Sequence, residues 1–265
     1  MEQNLKQYVG KFNPILETKM FSKEECEEIV NKLVEKQDKW ENRSPKGNFF
    51  MSYGALTYLD AVGGVADDKE HDQFRNTDRS IPNIYAQKAN YFNKMMVKDF
   101  DWMYRKIWGY YQMKFHKPVI FQLALPGFHI FQTAEQLNHK DVKNLATIHV
   151  DQPHTSHNWG EEVLAVSSFT IAVDLPKCGA GLNIWKNDDM FKNVNTVFYN
   201  KMSKKDQIKI TKTAEYFPYK LGYIYEQNGM LRHQITCNGD VTEGERRVTV
   251  QGHLVETNKE IIIYV

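Results

Sequence analysis

The segment 118–132, PVIFQLALPGFHIFQ, marks the point where the sequence changes from helical to strand-like periodicity. From here onward, short apolar or alternating runs follow one another, separated by Pro, Gly, Asn and Asp. Short strands at this spacing are typical of a β-sandwich or barrel, so we predict a jelly roll with helices covering one sheet. The runs are VIFQLAL (119–125), FHIFQ (128–132), ATIHV (146–150), SSFTIAVDL (167–175), LNIW (182–185), TVFY (196–199), YKLGYIY (219–225), RHQI (232–235), RVTVQGHLV (247–255) and IIIYV (261–265).

Helical signals lie before this segment. Ser22 and Glu25 form a capping box, in which the serine caps the helix and the glutamate reaches back to it. Apolar residues then recur at helical spacing, which predicts an amphipathic helix over 22–37 that packs on a sheet. A second helical region opens near Pro82 and continues, with one break, to just before His116.

The length of 265 residues suits one domain with its own large core. We predict a single domain, 1–265, in which residues 1–117 are mostly helical support and residues 118–265 are the jelly-roll core. A short inserted helix is predicted around 203–206.

Composition excludes several classes of protein. Hydrophobic residues make up 42% and charged residues 25%, as in ordinary globular proteins. The 34 Lys and Arg nearly cancel the 33 Asp and Glu. The net charge therefore gives no reason to expect binding to nucleic acid or to an anionic membrane. The start has no apolar run of the kind found in secretory signals, and the three cysteines are far apart. We therefore expect a cytoplasmic protein with free thiols.

A histidine and a carboxylate stand two residues apart in the run ATIHVD, 146–151. Strand alternation puts the side chains of His149 and Asp151 on one face, where they can provide two legs of a metal site. His233, after the Gly229 turn, is the best candidate for the third leg. Two histidines and one carboxylate form the facial triad of non-heme Fe(II) oxygenases, which leaves positions open for a bidentate cosubstrate and O2. With nine histidines in the chain, the His-x-Asp pair alone is a weak signal.

The strand-like segment after the second histidine strengthens the signal. Arg247, Thr249 and Gln251 share one face of it. Arg246 and Val248 share the other face. A buried arginine with a threonine two residues on can hold the distal end of a dicarboxylate through a forked ion pair and a hydroxyl hydrogen bond. The alternative is that both arginines are surface charges.

These elements, in this order, resemble the Fe(II)- and 2-oxoglutarate-dependent dioxygenases. The family pattern is His-x-Asp, a distant His and then Arg-x-Ser/Thr on a double-stranded β-helix, and the resemblance covers about 118–255. It implies a mainly β, cupin-like jelly roll with N-terminal helical support, and the cofactors Fe(II), 2-oxoglutarate and O2. By the same resemblance, the Fe(II) ligands are His149, Asp151 and His233. The C5 carboxylate of 2-oxoglutarate is bound by Arg247 and Thr249.

A finer resemblance is to bacterial enzymes that act on free amino acids, including lysine hydroxylases and radical halogenases. It is carried by YGALTYLD (53–60), LPGFHIF (125–131), GAGLNIW (179–185) and RVTVQGH (247–253). The halogenases have Gly or Ala in place of the metal-binding carboxylate. Because Asp151 is present, the resemblance implies hydroxylation of an unactivated C–H bond.

The substrate is left open between lysine and a neutral or amide-bearing amino acid. An amino acid's carboxylate needs a cation, which either of two arginines before the long helix could supply. A lysine tail would need an acidic side chain near the iron. Gln132 and Gln152 stand where such an acid is expected, and Glu135 is the nearest acidic alternative. Trp159 and Gln251 could form pocket walls or could be ordinary loop and barrel packing. The candidate substrate-binding residues are Arg75, Arg79, Gln132, Gln152, Trp159 and Gln251.

Rival functions use the same histidines differently. His154 and His157 could bind zinc if they lay on a helix, although Pro153 favours a loop. A cupin-type metalloenzyme would not need the arginine, and a non-catalytic module would not need an intact triad. Protein prolyl hydroxylation is an alternative within the resembled family. Neutral charge counts against nucleic-acid demethylation, so we expect a small-molecule partner, no nucleic acid and no membrane.

Overall fold

Antiparallel strands in two sheets form most of the computed structural model. It describes residues 15–43, 50–57, 60, 84–131, 148–186, 210, 212–237, 242 and 244–265. Within these ranges the strands are β1 (Ile15–Lys19), β2 (Glu41–Asn42), β3 (Phe50–Tyr53), β4 (Val119–Phe121), β5 (Gly127–Phe131), β6 (Ala165–Asp174), β7 (Ala180–Trp185), β8 (Glu215–Pro218), β9 (Tyr223–Asn228), β10 (Arg232–Cys237), β11 (Arg247–Glu256) and β12 (Ile261–Tyr264).

The larger sheet has the order β1-β9-β6-β11-β5-β3-β2, and β12 joins β11 to β4. All its pairs are antiparallel except β12 with β4. The smaller sheet has the order β10-β7-β8 and is antiparallel. Strands β11 and β6, of ten residues each, are the longest in both sheets, and β11 pairs with β5, β6 and β12. This mainly antiparallel architecture is consistent with a jelly roll.

Two helices are described, α1 (Lys23–Val34) and α2 (Ile84–Lys114). The predicted capping box is present: the Glu25 backbone N–H donates to Ser22 Oγ at 3.2 Å, and the Ser22 N–H donates to Glu25 Oε2 at 2.7 Å. The break in the second helix is a kink at Phe100, where φ is −131°.

The faces of the larger sheet have different chemistry. One face packs on α1 and α2 in a large apolar cluster, to which β11 contributes Val248, Val250 and Leu254. The other face points toward the smaller sheet. A second cluster joins the two sheets through Phe131, Ala172, Leu182, Ile184, Tyr225 and Ile235. Alternation in β11 therefore sends its odd-numbered side chains into the space between the sheets.

The N-terminal part of the described chain contains strands as well as α1. It supplies β1, which pairs with β9, and β2 and β3 at the opposite edge of the larger sheet. Strands β1 and β8 were not predicted. The predicted strand 196–199 and the predicted helix around 203–206 lie outside the described residues. None of the helices in the described ranges is long and apolar enough to cross a membrane.

Candidate metal centre

An irregular segment, 148–151, and the start of strand β10 hold the candidate ligands together. His149 and His233 form an isolated antiparallel bridge, in which each backbone N–H donates to the other's carbonyl at 3.0 Å. The Asp151 N–H donates to the Gly229 carbonyl at 2.8 Å. The prediction of a regular strand ending at His149 and Asp151 is wrong for the described part, 148–151, because this segment pairs at single points before it turns at Pro153.

The triad is compact. One potential ligand atom from each of His149, Asp151 and His233 lies within 4.8 Å of the others. The Nε2 atom of His149 lies 3.6 Å from Asp151 Oδ1, and the Nε2 atom of His233 lies 3.7 Å from Asp151 Oδ2. Within the described ranges this is the one group of three His, Cys, Asp or Glu side chains arranged to hold a metal.

The electrostatics of the centre favour ligands in their metal-binding forms. Burial raises the pKa of Asp151, but the nearby His233, His253 and His149 outweigh it and hold this pKa well below its usual range. Burial lowers the pKa of His233 to about 4, against the opposing effect of Asp151. At neutral pH the site therefore offers a carboxylate and a neutral imidazole, which are the forms that bind a metal.

His233 is also oriented by its neighbours. Its Nδ1 lies 2.8 Å from the Leu231 carbonyl, to which a protonated Nδ1 donates. This bond leaves the lone pair on Nε2, the atom that faces Asp151. The amide of the buried Gln227 contacts the same ring, with its nitrogen 3.2 Å from Nδ1 and 3.3 Å from Nε2.

The donor set fits a divalent transition metal. Asp151 Oδ2 is buried and has no hydrogen-bond partner in the described part of the chain, as expected of an oxygen that serves a metal. Two imidazoles and one carboxylate form the donor set typical of non-heme Fe(II) sites with open positions. The site is therefore consistent with Fe(II), 2-oxoglutarate and O2.

Arg247 lies fully buried in the interior, with 1% of its surface exposed. Its guanidinium carbon is 5.4 Å from the centre of the Phe131 ring and 5.5 Å from that of Tyr219. One guanidinium nitrogen lies 3.4 Å from Thr249 Oγ1. Arg246 instead points outward and pairs with the half-exposed Asp174 at 2.7 Å. The two adjacent arginines therefore lie in opposite environments, as strand alternation requires.

The interior face of β11 continues past these residues. Gln251 is buried at 9% exposure, and His253, two residues further on, is buried at 2%. On β5, His129 pairs with Thr249 and is also buried. Burial and then the charge of Arg247 lower the pKa of His129 to about 3. Strand alternation alone also places His253, two residues after the predicted Gln251, on this interior face.

The candidate substrate residues fall in different places. Trp159 stands against Tyr264, with ring centres 4.8 Å apart. Gln152 precedes a short 3₁₀ turn, Pro153–Ser156, and its side chain is exposed. Outside the described residues lie Arg75, Arg79, Gln132 and Glu135.

The two histidines of the alternative zinc site do not lie together on a helix. His154 lies within the 3₁₀ turn, and His157 follows it in extended backbone. The Nε2 atom of His157 lies 3.2 Å from Thr57 Oγ1, and its ring packs on Tyr85 with centres 5.2 Å apart. These contacts give His157 a packing role beside Tyr85.

Comparisons with known proteins give weak structural similarity. No family model matches the sequence, and no curated protein matches it. A structure of an N-substituted L-amino acid dioxygenase from Burkholderia ambifaria, in complex with alpha-KG, covers 91% of each chain at 10% identity and a TM-score of 0.46. HygX from Streptomyces hygroscopicus, with nickel, 2-oxoglutarate and hygromycin B bound, covers 91% of this chain and 82% of its own at 11% identity and a TM-score of 0.42.

A prolyl-4-hydroxylase from Pseudomonas putida covers 92% of this chain and 93% of its own, at 8% identity and a TM-score of 0.36. TM-scores below 0.5 at about one identical residue in ten are too low to assign an activity. The functional case therefore rests on the residues of the metal centre.

Proposed function

We propose that this protein is an Fe(II)- and 2-oxoglutarate-dependent dioxygenase that hydroxylates an unactivated C–H bond in a small polar substrate. The observation that carries the proposal is the position of Arg247. A fully buried guanidinium, set between Phe131 and Tyr219 and next to Thr249, lies in the same interior as a His-Asp-His triad. A metalloenzyme that used no dicarboxylate cosubstrate would not need such a cation there.

The residues divide into two binding sets. The imidazoles of His149 and His233 and the carboxylate of Asp151 would hold Fe(II). Arg247 would bind the distal carboxylate of 2-oxoglutarate through its planar fork, and Thr249 would donate its hydroxyl to the same group. When bound, Fe(II) and 2-oxoglutarate would activate O2 for oxidation of the substrate C–H bond.

The protein's own contribution is position and charge. Asp151 is ionised and buried, so it occupies a metal position that a halide would otherwise need, and this favours hydroxylation over halogenation. The neutral imidazole of His233 is held by the Leu231 carbonyl and contacted by Gln227, which fixes the ring before a metal arrives. Phe131 and Tyr219 keep water from the Arg247 guanidinium and so strengthen its attraction for a carboxylate.

For the substrate we propose a free amino acid, either lysine or a neutral or amide-bearing one. The test is 2-oxoglutarate-dependent succinate formation with Fe(II) and O2, screened over the standard free L-amino acids. The expected product is one oxygen atom heavier than the substrate, and its formation should stop when Fe(II), 2-oxoglutarate or O2 is omitted. Turnover only with a proline-containing peptide would make the protein a peptide hydroxylase, and oxidation without 2-oxoglutarate would make it a cupin-type metalloenzyme.

A further inference from the structure

His253 extends the interior stripe of β11 beyond the proposed cosubstrate site. It lies six residues after Arg247 on the same face, which corresponds to about 20 Å along an extended strand. A five-carbon diacid that reaches from Arg247 to the metal is much shorter than this. His253 therefore lies beyond the reach of a diacid held by Arg247.

His253 nevertheless lies close to the metal centre. It pairs in register with Ser168 on β6, and Ser168 pairs in turn with Gln227 on β9. Gln227 contacts the ring of His233 at 3.2 Å. Burial lowers the pKa of His253, and the charge of Asp151 opposes this effect.

Only one of the two ring nitrogens of His253 has a hydrogen-bond partner in the described part of the chain. Its Nδ1 lies 2.9 Å from Ser168 Oγ. Its Nε2 is buried and has no hydrogen-bond partner in the described part of the chain. Buried polar atoms in native proteins are almost always paired, so one left open beside a binding site points to a ligand.

The tautomer of this ring follows from its neighbours. The hydroxyl of Ser168 hydrogen-bonds to Asp151 and helps to keep the pKa of that carboxyl low. An ionised carboxylate only accepts, so the Ser168 proton points to Asp151 and Ser168 Oγ accepts from the Nδ1–H of His253. The lone pair of His253 is then on Nε2, and the open atom is an acceptor.

Aromatic rings stand beside this acceptor. Tyr264 pairs with His253 across β12 and β11, and their ring centres are 5.6 Å apart. Trp159 also packs on Tyr264, with ring centres 4.8 Å apart. Trp159 is in turn held by its Nε1–H, which donates to the His154 carbonyl at 2.9 Å. An aromatic wall with one directed polar atom is typical of a small-molecule pocket.

We propose that His253 is a specificity-determining residue of the substrate site, where its Nε2 accepts a hydrogen bond from an amine or hydroxyl group of the substrate and Tyr264 and Trp159 flank that group. The inference rests on the proposed dioxygenase function, and it narrows the substrate class to small molecules that carry an N–H or O–H donor near the carbon to be oxidised. A free amino acid meets this requirement.

Two variants separate the two nitrogens of the ring. His253→Asn keeps a polar atom near the position of Nδ1, and so keeps the partner of Ser168, but removes the acceptor at Nε2. His253→Gln places an amide oxygen near the position of Nε2. Wild type and both variants are loaded with Co(II) and 2-oxoglutarate, and the binding of each standard free L-amino acid is measured by calorimetry.

The expected result is that the amino acid that binds wild type best binds His253→Asn roughly tenfold more weakly, the size of one lost hydrogen bond. His253→Gln should recover most of that loss, and the dissociation constants for Co(II) and 2-oxoglutarate should stay within about twofold of wild type in both variants. This combination separates substrate recognition from a general structural defect.

Several results would overturn the inference. It fails if no free amino acid binds the loaded wild type, if His253→Asn binds the best amino acid as well as wild type does, or if 2-oxoglutarate binding weakens by the same factor. The visible charge-transfer band of wild type with Fe(II) and 2-oxoglutarate distinguishes failure of this inference from failure of the proposed dioxygenase function. If the band forms, the dioxygenase proposal stands while this inference falls, and if it does not form, both fall together.

Discussion

His149 and His233 donate their backbone N–H groups to each other's carbonyl oxygens, at 3.0 Å in both directions. The two proposed histidine ligands are therefore cross-strand neighbours, with ring centres 4.4 Å apart. Backbone pairing of this kind sets the spacing of two ligands without help from a metal. The third proposed ligand, Asp151, is fixed in the same way through the hydrogen bond from its N–H to the Gly229 carbonyl. The centre is thus assembled by the fold, and metal binding should need little rearrangement.

Removal of the carboxylate should abolish metal binding without loss of the fold. Asp151→Ala deletes a proposed ligand, so affinity for Co(II) or Fe(II) should fall by more than roughly 100-fold. Loss of a residue that only hydrogen-bonds to a metal ligand costs roughly 10- to 100-fold. Hydroxylation should disappear. The metal-free variant should stay folded but melt at a lower temperature than wild type, because Asp151 also interacts with His149, His233 and Ser168. Metal titration and calorimetric melting measure the two effects.

Asp174→Ala is the matched control, since this carboxylate is half-exposed and pairs with Arg246. It should bind metal as wild type does. Wild-type metal affinity in Asp151→Ala would remove this aspartate from the centre.

Acid should destabilise the protein through its buried neutral histidines. His129 has a pKa of about 3 in the fold, against 6.5 for the free side chain. Below pH 6.5 this histidine is protonated in the unfolded chain but stays neutral in the folded chain until about pH 3. The stability present above pH 6.5 is therefore lost as the pH falls. Each such histidine lowers the free energy of unfolding by up to about 1.4 kcal/mol per pH unit.

His129→Gln should therefore flatten the pH dependence of unfolding between about pH 6 and pH 4 by up to roughly 1.4 kcal/mol per unit. Urea unfolding of the metal-free protein at several pH values measures the slope. An unchanged slope in His129→Gln would mean that this ring is protonated in the fold.

The smaller sheet should depend on a glycine. A Cβ at Gly181 would lie 2.1 Å from the Phe217 carbonyl oxygen and 3.0 Å from Pro218 Cα, both backbone atoms of β8. Gly181→Ala should destabilise the protein by about 1–3 kcal/mol or more, because β7 and β8 must separate. Gly109→Ala is the control. Apart from the neighbouring backbone of its own helix, no atom of the described chain lies within 4 Å of a Cβ added at this glycine, so its replacement should leave stability equal or raise it by up to about 1 kcal/mol. Equal melting of the two variants would contradict the tight β7–β8 contact.

The parts of the fold that sequence predicts well are those governed by local rules. The Ser22–Glu25 capping box and the alternation that buries Arg247 and exposes Arg246 follow from spacing of three and two residues. The pairing of β1 with β9 could not be predicted, because its five residues carry only two apolar side chains and the partner strand is distant in sequence. Local pattern holds no information on that pairing.

The candidate centre shows the same division. Spacing singles out His149 and Asp151 as a pair, but it does not show that they sit on an irregular segment bridged to His233. Nor does it show Gln227 against the His233 ring, since that contact depends on how the chain turns between β9 and β10. His253 lay within reach of strand alternation, but its open Nε2 depends on Ser168, a residue of another strand.

The most direct test of the central claim is an anaerobic titration of the metal-free protein with Fe(II) and then 2-oxoglutarate, followed through the visible charge-transfer band of the chelate. The dioxygenase account predicts the band in wild type and in Arg246→Ala. In Arg247→Ala the band should need at least about 100-fold more 2-oxoglutarate or fail to form, because losing one partner of a buried ion pair costs about 3–5 kcal/mol. Iron binding without a band in wild type, or an Arg247→Ala titration that matches that of Arg246→Ala, would contradict the account.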